Sequence, residues 1–401
     1  MQLTNPEGVG LSSARLNKLK ALAQRYVDQK KLPCVLTMVA RRGQVVHFEP
    51  YGLMDMAAEK PVQKDTIFRI YSMTKPITSI GIMMLYEEGH FLLSDPVSKF
   101  IPAFKELKVV VGQDYERMDV LVGSLEREIT LHDLLTHTSG LSYGLFEGHP
   151  VDDMYRDKNI LGKDQTLAEM IEKIVSLPLV GQPGKVWQYS VATDVLGRVI
   201  QVVSGKSFDR FIEERILQPL GMSDTAFYVS QEKQKRFASL YALRPETGQL
   251  AQIPSLLSNY SPSVRFFSGG GGLVSTATDY MRFCQMLLNG GELDGVRLVG
   301  RKTIELMTIN HLPPELVPIA LGETVLNGYG FGLGFRVMTN LAQGQVIGSE
   351  GEYGWGGAAS TFFFIDPQEE LIGILMTQFM PSSYYPIRDQ FKTAVYQALI
   401  D

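Results

Sequence analysis

Only two of the 401 residues are cysteines, Cys34 and Cys284. That excludes a disulfide-stapled scaffold and a cysteine-rich zinc site, and both residues read as buried free thiols. There is no H-E-x-x-H and no paired His or Cys spacing, so no metal is expected. No G-x-x-x-x-G-K-[ST] stretch is present to cradle a phosphate, and no cofactor is called for. The six histidines, His47, His90, His132, His137, His149 and His311, have no motif partner and read as structural or exposed. Lys and Arg form no concentrated run, and the net charge is −5. Nucleic acid, whose phosphates demand a basic face, is therefore not an expected partner. Apolar runs such as Gly81–Tyr86 and Leu371–Met376 are core-sized and fall short of the roughly 20 residues that cross a bilayer, so no membrane partner is expected. The first twenty residues lack a basic start followed by an apolar run, which is not the pattern of a signal peptide. If Met1 is the natural start, a cytoplasmic location is expected. No internal repeat or low-complexity tract appears.

What remains is ordinary globular material, 45% hydrophobic and 20% charged, enough for a core without staples. Periodicity predicts a helix over Ser12–Asp28, then a hairpin of Cys34–Ala40 and Gln44–Phe48 across Arg41-Arg42-Gly43. A helix is expected from about Ser72 to Glu88, stopped by Gly89. Asp95-Pro96 reads as an N-cap with Pro at the first helical position, and Thr130 to Asp133 as a capping-box start. Further helices are expected at Thr166–Ser176, Ala192–Val203, Ser207–Leu217 and Thr276–Leu288. The last part changes character, with strands at Gly330–Met338, Gln345–Ser349, Thr361–Ile365 and Leu371–Met376 and a helix over Tyr385–Ile400. Strands near both ends can share one antiparallel sheet. The expectation is an α+β chain: a discontinuous sheet domain (1–75 plus 325–401), a mainly helical domain (76–324), and a site in the cleft between them.

One spacing carries chemistry. In Ser72-Met73-Thr74-Lys75, positions i and i+3 share a helix face, so the amine reaches the hydroxyl. Pro76 is tolerated only near a helix start, which puts Ser72 beside the N-terminus, where the helix dipole favours a developing alkoxide. The same dipole, with burial, is expected to push Lys75 toward the neutral form that accepts a proton. A second S-x-x-K, Ser230 to Lys233, lies in a polar stretch and reads as surface. Tyr189, between the turn at Pro183-Gly184 and a helix, can aim its hydroxyl into a cleft, with Lys75 as its neighbouring cation. In Tyr353-Gly354-Trp355-Gly356-Gly357-Ala358, adjacent glycines let an edge strand approach a ligand. A backbone N–H from this segment, with that of Ser72, can form a two-donor oxyanion hole, and Trp355 would wall the pocket. Tyr143, Phe146 and Phe266-Phe267 are assigned to core packing ahead of lining the cleft.

These elements, in this order, with Leu134–Leu141, Gly271–Thr276 and Trp355-Gly356-Gly357, resemble the serine β-lactamase and penicillin-binding-protein-like superfamily. The chain is most similar to its class C-like members and, among them, to the family VIII carboxylesterases. The resemblance implies Ser72 as the acylated serine, Lys75 as its helix-mate, and Tyr189 as proton acceptor and donor. It implies the N–H groups of Ser72 and Ala358 as oxyanion donors, with Trp355, Gly356 and Gly357 beside them. It makes His137 and Ser275 architectural. Two positions depart from the β-lactamase pattern: Val191 stands where Asn is usual, and Trp355 where Lys is usual. Both changes remove groups that bind a β-lactam amide and carboxylate and cost a neutral ester nothing. The expected activity is hydrolysis of short-chain carboxylic esters, with a small-molecule ester as the only partner. Acyl transfer to an alcohol, and β-lactam or D-amino-acid peptide hydrolysis, stand as alternatives. Monomer or homo-oligomer is left open.

Overall fold

A computed structural model describes residues 3–114, 119–145, 149–255, 258 and 260–401. Its centre is an eight-stranded antiparallel sheet. The strands are β1 (Cys34–Arg41), β2 (Gln44–Asp55), β3 (Lys60–Pro61), β4 (Tyr329–Phe331), β5 (Arg336–Met338), β6 (Tyr353–Gly356), β7 (Phe362–Asp366) and β8 (Leu371–Met376), in the order β4-β5-β6-β7-β8-β1-β2-β3. The two ends of the chain meet where β1 pairs with β8, Leu36 opposite Met376. The β1–β2 turn places Arg42 at φ 52° and Gly43 at φ 74°, the pair of positive angles that suits the twist of a tight hairpin.

Strand period two sorts the apolar residues onto two faces. Val35, Val39, Phe362, Phe364 and Leu375 point to one core, under helices α1 (Ser13–Asp28) and α5 (Ile387–Tyr396). Leu36, Met38, Phe363, Ile365 and Ile374 point to the other and larger core. There they meet α2 (Thr74–Glu87), α3 (Ala192–Ser204) and α4 (Ala277–Leu288). The capping box expected at Thr130 and Asp133 forms, and Ser12 and Thr276 also cap their helices, accepting from Arg15 N–H and Asp279 N–H. Among the described residues no helix is long and apolar enough to cross a membrane, and no group of three His, Cys, Asp or Glu is placed to hold a metal.

Several expectations are corrected. Gly330–Met338 is two strands, because Gly334 turns the chain at φ 99° and a Cβ there would meet Ser79 Oγ at 2.3 Å. Gln345–Ser349 is no strand: Leu341–Gly344 forms a helical turn capped by Asn340, and Gln345 ends it at φ 51°. The last helix is shorter than Tyr385–Ile400, since Pro386 sets its start. Ser207–Leu217 divides into Phe208–Ile212 and a π turn over Glu213–Leu217. Pro96 caps only a 3-10 turn, Val97–Lys99. The Trp355 segment is an interior strand, not an edge strand. However, β5 pairs only with Tyr353 and Gly354, so Trp355 and Gly356 are paired to β7 alone and form a local free edge.

Candidate active site

Ser72 lies in a 3-10 turn, Tyr71–Met73, directly ahead of α2. The turn is sharp: Tyr71 has φ 42°, a left-handed angle that costs a bulky residue on the order of 1–3 kcal/mol and requires outside support. Tyr280 supplies it by donating to the Met73 carbonyl at 2.8 Å, and Thr74 accepts from Leu273 N–H at 3.1 Å. The short strand just before, Phe68–Arg69, pairs with Val274–Ser275. The Gly-Leu-Val-Ser segment is thus a brace for the nucleophile turn, and Ser275 is tied to Thr225.

Lys75 is one turn on and 1% exposed. Its Nζ donates to Gly270 O at 2.7 Å, and reaches the Tyr143 hydroxyl at 3.3 Å and Ser72 Oγ at 3.4 Å. Glycine is required at 270, where a Cβ would fall 2.6 Å from Asp194 Oδ2 and 3.0 Å from the Tyr143 oxygen. Asp194, on α3, is buried and accepts from Ser268 Oγ and Gly270 N–H through Oδ1, while Oδ2 is unbonded among the described residues. Burial raises its carboxyl above the ordinary range, although the Lys75 charge pulls the other way.

Tyr189 is brought to the same place from just before α3. Its ring lies 4.5 Å from Lys75 Nζ and stacks on Tyr143 at 5.4 Å. The amine therefore lies over the ring rather than at the hydroxyl oxygen. That oxygen instead accepts from Trp355 Nε1 at 3.2 Å. His137 packs on the Tyr189 ring at 4.9 Å and contacts Ser190 Oγ at 3.2 Å. Burial holds its imidazole well below the usual range, so it is neutral packing material.

The glycine pair has a steric cause. A Cβ on Gly357 would fall 2.3 Å from both Ile70 O and Thr361 Oγ1. Only glycine lets this strand end reach the nucleophile turn. Beyond it, half-buried Ala358 and Ser72 line one hollow of about 350 Å³, walled by Tyr71, Tyr143, Leu145 and Leu161. Among the described residues no hydrogen bond engages the N–H of Ser72 or of Ala358. A larger hollow of about 430 Å³, near Met222 and Phe227, contains none of these groups.

All seven residues singled out from sequence thus fall in one region, joined by two that were not. Tyr143 was assigned to core packing, and it is buried yet also walls the hollow and touches Lys75. Asp194 had no motif to announce it; its one signal is an acidic residue on an apolar helix face, one turn beyond Tyr189. Phe266 is core, and Phe146 falls outside the described residues. Gly140-Leu141-Ser142-Tyr143-Gly144 matches G-x-S-x-G, the hydrolase elbow pattern. Its context is wrong for an elbow: Ser142 is buried outside any strand or helix, and its hydroxyl donates to Asp152 at 2.5 Å. Lys233, of the second S-x-x-K, donates to Ser223 O and pairs with Asp224 at the surface.

The chain belongs to the Beta-lactamase family, whose model matches residues 19–397. It is 36% identical to Protein Rv1367c of Mycobacterium tuberculosis over 90% of each chain. It is 29% identical to Esterase EstB of Burkholderia gladioli over 93% of each. The fold matches the solved structure of EstCE1, a hydrolase with promiscuous acyltransferase activity, with a TM-score of 0.81 at 24% identity, covering 96% of this chain and 99% of that one.

Proposed function

We propose that the protein is a serine carboxylesterase of the family VIII kind, hydrolysing short-chain esters through an acyl-enzyme on Ser72. The observation that carries this reading is the contact of Ser72 Oγ with Lys75 Nζ at 3.4 Å, with the Tyr189 ring against the same amine. Lys75 and Tyr189 act as one proton-accepting pair when Ser72 attacks the ester carbonyl. The Ser72 and Ala358 N–H groups receive the oxyanion. Tyr189 returns the proton to the leaving alcohol, and water resolves the acyl-enzyme by the reverse path. Trp355 supports a neutral substrate. Where a β-lactamase has a lysine, this chain offers an indole N–H already donated to Tyr189.

The test is labelling and mutation. A fluorophosphonate should modify Ser72, and Ser72→Ala should abolish hydrolysis of p-nitrophenyl acetate and butyrate. Tyr189→Phe should cripple turnover with little change in melting temperature. Full esterase activity in Ser72→Ala ends the reading. Acyl transfer shares every step up to deacylation, and the EstCE1 likeness keeps it in view; product analysis with added alcohol separates the two. Nitrocefin turnover rivalling that of the short esters would instead favour a β-lactamase.

A further inference from the structure

The two glycines after Trp355 face different neighbours. Gly357 clears Ile70, on the nucleophile side. Gly356 clears Arg388, on the opposite face of the sheet, where a Cβ would lie 2.6–2.8 Å from the guanidinium carbon and both terminal nitrogens. Arg388 is the second residue of α5, a rigid mount packed on that face. Its Nη2 donates to Gly357 O at 2.5 Å and to Thr361 O at 2.9 Å. These two carbonyls flank the tight turn after β6, which closes on itself through Gly357 N–H to Thr361 O at 2.9 Å and Ser360 N–H to Gly357 O at 3.1 Å.

The Gly357 carbonyl and the Ala358 N–H belong to one peptide unit. In a trans peptide the two point in opposite directions. A guanidinium that holds the carbonyl from the α5 side therefore fixes the N–H toward the other side, where Ala358 and Ser72 line the same hollow. A charged donor on the carbonyl also draws electron density toward that oxygen, which makes the N–H of the same unit a stronger donor. We propose that Arg388 is a positioning residue for the oxyanion hole, aiming and polarising the Gly357–Ala358 peptide from behind the sheet. The inference rests on the reading above, in which Ala358 N–H receives the oxyanion. Arg388 touches no substrate. A turn held only by its own backbone bonds could rotate that peptide, and the charge on α5 removes the freedom.

The experiment compares wild type, Arg388→Gln and Arg388→Lys on a p-nitrophenyl ester and the matching thionoester, with Ser72→Ala as control. The sulfur anion of a thionoester gains little from N–H donors, so the oxygen-to-sulfur rate ratio reads the oxyanion hole itself. Deleting a whole oxyanion donor costs about 10²–10³ in kcat. Loss of its support in Arg388→Gln should cost less than loss of the donor itself, lowering kcat on the oxygen ester roughly 10- to 100-fold with KM little moved. The oxygen-to-sulfur ratio should shrink by a similar factor. Arg388→Lys, which keeps the charge and one donor, should fall between; if the glutamine variant does not fold, the lysine variant carries the same ratio test. Equal losses on both substrates, or kcat within about twofold of wild type, would overturn the inference and leave Arg388 a packing residue. Ester hydrolysis surviving in Ser72→Ala would strike the underlying site instead, whatever Arg388 does.

Discussion

Replacing Trp355 with Phe removes one N–H and keeps an aromatic ring at the position that packs on Tyr189 and Phe331. The N–H in question is the one donated to the Tyr189 oxygen at 3.2 Å. Between neutral partners such a bond is worth a net 0.5–1.5 kcal/mol, and about 1.5–3 kcal/mol when one partner is ionised. Only the difference between ground and transition state reaches the rate. If Tyr189 gains phenolate character as Ser72 loses its proton, the deletion removes about 1–2 kcal/mol of transition-state stabilisation, or roughly a 5- to 30-fold fall in kcat/KM. Stopped-flow acylation with a p-nitrophenyl ester, alongside thermal melts, measures the effect. A variant within twofold of wild type would refute phenolate formation and leave Lys75 as the sole proton acceptor.

Other outcomes follow from the same geometry. Gly357→Ala should lower kcat by about 10²-fold, the scale of an ångström misplacement, because its methyl would strike Ile70 O; steady-state kinetics with a melting control checks it. Lys392 and Glu352 form an ion pair with side chains 0% and 1% exposed, so Lys392→Met should destabilise the fold by about 3–5 kcal/mol, and the double variant with Glu352→Gln should recover much of that in urea melts. Burial lowers His47 to about 4 from its ordinary 6.5. The neutral ring thus favours the fold above pH 6.5. That contribution drains away as pH falls through 4, by about 3 kcal/mol, and His47→Gln should flatten the curve of stability against pH over that window.

How much of this was legible in the sequence depended on how local each cause is. Ser72, Lys75 and Pro76 announce themselves because a helix start and an i,i+3 pair are decided within five residues. The capping box at Thr130 and Asp133 is equally local. The break at Gly334 was hidden because it answers to Ser79, far away in the chain, and apolar residues on either side mimic one continuous strand. Gln345–Ser349 carries some strand-like composition, but the turn capped by Asn340 takes precedence. Tyr143 and Asp194 are placed by the packing of three segments around Lys75, which no window of sequence contains. The Trp355-Gly356-Gly357 run was conspicuous, yet the separate neighbours of its two glycines emerge only once α5 and the nucleophile turn lie on either side.

The pairing of β1 with β8 has a consequence for the timing of activity in the cell. The strand leading toward Ser72 is made well before the sheet partner that completes its surroundings and the Ala358 turn beside it. On the proposed reading, a ribosome-bound chain stopped before β6 emerges would carry the serine and its amine with only one of the two N–H donors. Its reactivity toward a serine probe should then rise only once that turn has been made and packed.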